Sequence, residues 1–188
     1  MELGGTKVEV NGQAAPVLSV SATKVEFVCP VLPLGTSLEV SVETPSGTSS
    51  PISMRMESAS PRIFELNNSA ESQGLVSFEG SSELTMPRNS EIPGHPAQPF
   101  DEIVLWGTGF GPTAAANPTL ISATIGNVNA EVEAVEGVPG HAGVYTVRMR
   151  VPVPEIFGNN VPLQLQIMGS DGRVFSSNTV TIAVETAQ

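Results

Sequence analysis

His95 and His141 are the two histidines of the chain, each in a stretch rich in glycine and proline and neither with a second His or Cys at ligand spacing. Zinc centres gather three or four such ligands, so the spacing argues against a metal role for either. Cys29 is the single cysteine. Val25, Phe27 and Cys29 alternate with Lys24 and Glu26, which predicts an inward-facing, inert thiol rather than a nucleophile beside a histidine. No serine stands in a Gly-x-Ser-x-Gly elbow, so acyl-enzyme chemistry has no candidate. Gly107-Thr108-Gly109-Phe110-Gly111 resembles a phosphate loop only superficially. It lacks Gly-Lys-Ser/Thr, and Pro112 with an Ala/Asn/Pro stretch stands where a helix pattern is needed, so the glycines read as bend geometry. Asp101-Glu102 and the Glu131/Glu133 pair could offer oxygen ligands to calcium, although such sites converge several carboxylates and carbonyls. The plainer reading is a strand start and a solvated strand face, and the expected cofactor is none, with calcium as the alternative. Trp106, Phe110 and Tyr145 could stack on a sugar ring where exposed, but a tryptophan beside Val104 in a strand is ordinarily core in a sandwich.

The elements that would hold these residues are short and extended. Val8 and Val10 alternate with Lys7 and Glu9 ahead of Asn11-Gly12, a dipeptide suited to the positive φ angles of a tight hairpin. Leu38, Val40 and Val42 alternate with Glu39, Ser41 and Glu43. Pro45-Ser46-Gly47 then turns the chain toward Ile52, Met54 and Met56. In the second half, Ile103-Val104-Leu105-Trp106 enters the glycine bend, and Gly126-Asn127 leads into Val128, Ala130, Val132 and Ala134. Tyr145, Val147, Met149 and Val151 follow, then Leu163, Leu165 and Ile167, the turn Asp171-Gly172, and Val180, Ile182 and Val184. Half-polar strands of this kind build sandwiches. Between them, 58–100 is rich in Ser, Asn, Glu and Pro, with apolar clusters at Ile63–Leu66 and Leu75–Phe78. It reads as a structured connector able to form a hairpin over one sandwich.

Composition narrows the classes of function. Eight Lys and Arg stand against nineteen Asp and Glu, for a net charge of −11. That balance opposes nucleic-acid binding, which needs cations to displace phosphate counterions, and opposes binding to anionic membranes. No apolar run approaches the roughly twenty residues that span a bilayer. One cysteine excludes an internal disulfide, so the stability must come from the core. A strand pattern beginning within a few residues of Met1 suggests a piece of a longer parent with any export signal upstream.

The two halves repeat an order: a strand into a Gly/Asn turn, a strand ending in proline (Cys29-Pro30-Val31 against Val151-Pro152-Val153), another strand, and a final strand behind Ser-Ser (Ser49-Ser50 against Ser176-Ser177). The Trp106 strand has no counterpart before Lys7, so the first unit is predicted to lack its opening strand. The runs Gly5–Ser21 and Val25–Pro30 resemble the C-terminal domain family of uncharacterised Solibacter and other acidobacterial proteins. So do Ser60–Phe64, Leu105–Pro112, Gly143–Val147 and Ser176–Ile182, and the resemblance covers almost the whole chain. The units are also similar to IPT/TIG domains, an immunoglobulin-like fold of receptors, bacterial surface proteins, some starch-active enzymes and some transcription factors. This chain departs from the family pattern at Cys29, where a small aliphatic residue is usual, at His141, where an aromatic is common, and at Arg62, where glycine is frequent.

The expected fold is therefore all-β, with two tandem immunoglobulin-like, IPT/TIG-like sandwich units. Residues 1–57 form a truncated first unit, 58–100 a partly structured connector, and 101–188 a second unit. The resemblance implies export as part of a longer secreted or surface protein, and it implies no catalytic residues. The expected function is a non-catalytic structural or protein-interaction module; the alternative is a carbohydrate-binding accessory module with Trp106, Phe110 or Tyr145 as stacking platforms. Its partner would be a protein or glycan at the cell surface. The unpaired edge of the first unit would seek a strand by dimerisation or by capturing the connector.

Overall fold

At Asn11-Gly12 the backbone takes φ angles of 51° and 75°, two successive left-handed residues that close a tight hairpin. They fold β1 (Lys7–Val10) onto β2 (Gln13–Ala15), with Val8 opposite Ala15. Pro16 has no N–H to offer a ladder. Beyond it the chain leaves that sheet, and β3 (Val17–Val20) pairs with β4 (Val25–Phe27). β5 (Ser37–Thr44) lies beside β1, then turns into β6 (Gly47–Thr48) and β7 (Ile52–Arg55), which both pair with β5. These two layers enclose a small core. Val8, Val10, Ala15 and Leu38 are buried, while Val17, Val25, Phe27, Val40, Val42 and Met56 are half-buried around them.

This is a computed structural model, which describes residues 2–66 and 72–186. It divides into the unit just given, Met1–Ser58, and a second, Ala59–Gln188. The second unit opens with four short strands, β8 (Arg62–Ile63), β9 (Val76–Phe78), β10 (Leu84–Thr85) and β11 (Gly94–His95). The organising strand is β12 (Glu102–Thr108). It pairs with β15 (Val144–Arg150) along its whole length and with β8 and β9 on its other edge. Between β12 and β15 come β13 (Ile121–Ile125) and β14 (Val128–Gly137), joined at Gly126-Asn127, whose φ angles of 55° and 69° repeat the first hairpin. The start of β14 pairs with β13 and its remainder with β15, so one strand serves both layers. The second layer is completed by β16 (Gly158–Met168), β17 (Val174–Ser176) and β18 (Val180–Val184). Ile103, Leu105, Val147, Met149, Leu163, Leu165, Val180 and Ile182 are fully buried between the layers. Among the described residues no helix is long and apolar enough to cross a membrane.

The chain is thus an all-β protein of sandwich units. Each ladder of the first unit has a counterpart in the second. β1 meets β5 as β13 meets β16, and β5 meets β6 and β7 as β16 meets β17 and β18. The hairpin β1–β2 and the ladder β3–β4 correspond to the two halves of β14 with β13 and β15. Pro16 breaks in the first unit the strand that runs unbroken in the second.

Two expectations are corrected here. The segment expected to connect two sandwiches is built into the second one: Ile63 pairs with Gly107, and Val76–Phe78 pair with Ile103–Leu105. Ile63 and Val76 are fully buried there. Part of this segment, 67–71, lies outside the described residues. Cys29 is exposed rather than inward-facing, because the ladder of β4 ends at Phe27 and alternation no longer governs the residues beyond. Neighbouring chain still desolvates the thiol enough to push its pKa up.

Candidate functional site

Along β12 the alternation sends Ile103, Leu105 and Gly107 into the core and leaves Glu102, Val104 and Trp106 on the outer face. The register places Val104 between Ser77 on β9 and Arg148 on β15, and puts Trp106 opposite Thr146. Thr146 is in turn opposite Glu136, and Arg148 opposite Ala134. Trp106 donates its backbone N–H to Leu75 and accepts from the N–H of Phe64, two further half-buried apolar residues. Trp106, which the sequence favoured as core, is half-buried on the outer face of the sheet. Beside it Glu79, Val104, Ala134, Glu136, Thr146 and Arg148 outline a shallow depression of about 50 Å³.

The charges on this face are tied to one another. Arg150 Nη2 lies 3.2 Å from Glu102 and 3.1 Å from Glu133, while Arg148 lies 3.4 Å from Glu133 and 3.6 Å from Glu79. A bulge in β14 makes this sharing possible. The ladder steps from Val132 to Ala134, so Glu133 is an extra residue between rungs, and it reaches Arg148 on the adjacent rung and Arg150 on the rung beyond Met149. Arg148 Nε is buried and, although near Glu133, is out of line for a hydrogen bond.

Phe110 and Tyr145 form a different feature. Their rings stack at 5.2 Å between centroids and 19° between planes. The Phe110 ring lies over Gly107, where a Cβ would come within 3.2 Å of it. Phe110 is only 1% exposed, so it is corrected from a stacking platform to a core residue: the missing side chain at Gly107 is its seat. Tyr145 sits opposite Gly107, on the face that Trp106 turns away from. It lines an open hollow of about 540 Å³ together with the Gly137–Val144 turn and His141. The three aromatic candidates therefore do not share one surface.

The remaining candidates are held by local partners. His95 stacks on Phe78 at 4.2 Å and lies 3.6 Å from Glu83. His141 places Nδ1 3.2 Å from the carbonyl oxygen of Pro139. Asp101 accepts the N–H of Gln98 at 2.8 Å, and Glu102 and Glu133 are taken up by arginine as above. Among the described residues no group of three or more His, Cys, Asp or Glu side chains is placed to hold a metal ion. One helical turn, Gly111–Ala114, does follow the glycine bend, but it is too short to aim a row of N–H groups at a phosphate.

A cleft that the sequence did not suggest, of about 210 Å³, is lined by Pro87, Arg88, Asn89, Pro96, Gly158, Asn159, Val184 and Glu185. Arg88 grips Glu185 with two N–H groups, and Gln98 donates to the same carboxylate at 3.2 Å. The Arg88 hydrogen bonds, followed by that of Gln98, hold Glu185 below the usual carboxylate range.

No protein-family model matches the chain. No curated protein matches it either. Among solved structures the chain is similar to the Bacteroides ovatus mixed-linkage glucan utilization locus SGBP-B in complex with mixed-linkage heptasaccharide, with 14% sequence identity and a TM-score of 0.31. The likeness covers 97% of this chain and 37% of that one, so this chain spans little over a third of that protein's length.

Proposed function

We propose that the chain is a non-catalytic structural or protein-interaction module of an exported bacterial protein, working through the outer face of β9, β12, β15 and β14. The observation that carries this reading is the state of the charges on that face. Glu79, Arg148, Glu133, Arg150 and Glu102 form a continuous run of ion pairs, three carboxylates on two guanidinium groups, so that most of the charge on this face is met within it. Such a surface suits docking, because its charges carry little unmet demand into an interface. Export and the IPT/TIG-like tandem arrangement are supported by the resemblance to acidobacterial domains and by the shared ladder scheme of the two units. The test is a panel of glycoside, ester and peptide substrates. No turnover is expected, and hydrolysis of any of them at an enzyme-like rate overturns the reading.

A second reading, a carbohydrate-binding accessory module, is favoured by Trp106. A half-buried tryptophan on the outer sheet face, with Thr146, Glu136 and Arg148 beside it, offers a stacking plane and hydrogen-bonding groups for a sugar. Glycan-array binding lost in Trp106→Ala would support it. Binding that survives both Trp106→Ala and Tyr145→Ala would remove these residues, and no binding at all would remove the idea.

A further inference from the structure

The matching registers allow the two units to be compared rung by rung. Val40 faces Ile52 and Leu38 faces Met54 in the first unit, as Leu163 faces Val180 and Val161 faces Ile182 in the second. Ile52 and Met54 therefore stand on the core-facing side of their sheet, where Val180 and Ile182 stand in the other. Yet Ile52 is 65% and Met54 49% exposed, while Val180 and Ile182 are 0% exposed. The difference has a visible cause. In the second unit β15 carries β14 on one edge and β12 on the other, and β12 brings Ile103 and Leu105 into the core. In the first unit β4, which corresponds to β15, has β3 as its only ladder partner among the described residues. The layer that should cover Ile52 and Met54 stops one strand short.

We infer that the first unit is an acceptor site for one added β-strand, antiparallel to β4 and supplied from outside this chain. The chemistry of the occupant follows from β12, which fills the corresponding place. It is an extended segment with apolar residues at alternate positions, as Ile103 and Leu105 are, set against Phe27 and Val25 and over Ile52 and Met54. The polar rung is also specified. Glu26 occupies the position that Arg148 holds in the second unit, so the residue facing it is basic or neutral where β12 has Val104. Main-chain hydrogen bonds to the open edge of β4 supply affinity, and the two apolar side chains supply register. This inference is independent of the outer face of the second unit and goes beyond the reading proposed for it.

The test uses the full chain and a fluorescein-labelled peptide with the β12 sequence from Glu102 to Gly109, carrying lysine in place of Val104. Saturable binding by anisotropy is expected, with amide shifts in the NMR spectrum at Val25–Phe27 and Ile52–Arg55. Met54→Arg, at an exposed position that the fold tolerates, weakens binding by about tenfold or more, the cost of one buried apolar contact turned into a buried charge. A peptide with serine in place of Ile103 and Leu105 does not bind. The inference is overturned by absence of binding at millimolar peptide, by binding indifferent to Met54→Arg, or by shifts at β15 instead of β4.

Discussion

Ile182→Ala separates the packing of the second unit from that of the first. The side chain is fully buried on a strand that faces β16. Removing three buried carbons costs about 2.4 kcal/mol in transfer free energy, and the residual cavity brings the loss to about 3–4 kcal/mol. The chain has one tryptophan, Trp106, inside the second unit, so its fluorescence follows the unfolding of that unit alone. With a urea dependence of about 2 kcal/mol per molar, the fluorescence midpoint falls by about 1.5–2 M. Met54→Ala, at the corresponding rung of the first unit, removes a side chain already half in water. It costs about 1 kcal/mol or less and leaves the Trp106 transition in place. A fluorescence midpoint unmoved by Ile182→Ala, or a first unit destabilised by Met54→Ala as strongly as the second is by Ile182→Ala, would refute the reasoning.

Gly109 has φ of +76° and a would-be Cβ 1.8 Å from the Ser60 carbonyl oxygen, whereas Gly12, at +75°, has open space around it. Gly109→Ala is expected to cost more than about 3 kcal/mol in chemical denaturation and Gly12→Ala about 1 kcal/mol; equal effects would contradict the placement of Ser60 against the bend. Lys24, hydrogen-bonded to Glu26, and then the Ser19 hydroxyl hold the Glu26 carboxyl below its usual range. Its contribution to stability is therefore complete above the unfolded-state pKa of about 4.3 and fades as pH falls through the lower folded value. An NMR titration should find the Glu26 midpoint depressed and moving upward in Lys24→Ala, and a midpoint at or above the ordinary value would count against the pair. Cys29 should react with a thiol reagent in the folded chain, more slowly than a free cysteine at the same pH because its pKa is raised; complete protection would restore the inward-facing thiol.

The features legible in the sequence are those with a local cause. Asn11-Gly12 and Gly126-Asn127 write their hairpins in residue type, and the β16 rows of Leu163, Leu165 and Ile167 write their buried face in alternation. Ile103-Val104-Leu105-Trp106 is apolar at every position, so its period carries no phase and the side on which Trp106 stands is not written in the sequence. Only the ladder to β15 decides which residues face the core. Cys29 escapes the alternation because no residue type marks where the β4 ladder ends. Phe110 lies in a glycine bend without periodicity, and its burial depends on the space left at Gly107. The strands of 59–100 are two or three residues long, too short for a pattern, and they gain stability from β12, which comes later in the chain. The Arg88–Glu185 grip joins positions 97 apart, and no local signal links them. The bulge that hands both Arg148 and Arg150 to Glu133 depends on the ladder between β14 and β15, and no residue type in the strand marks it.

Amide hydrogen exchange on the intact chain tests the central claim, a second sandwich whose β15 is paired on both edges and a first unit whose β4 is paired on one, most directly. The account predicts that Ile103–Trp106 and Val147–Met149 exchange only with unfolding of their unit, while the backbone amides on the open edge of β4 and those of β7 exchange orders of magnitude faster. Protection at Val25–Phe27 equal to that at Val147–Met149 would mean that the first unit is already complete, and would contradict it.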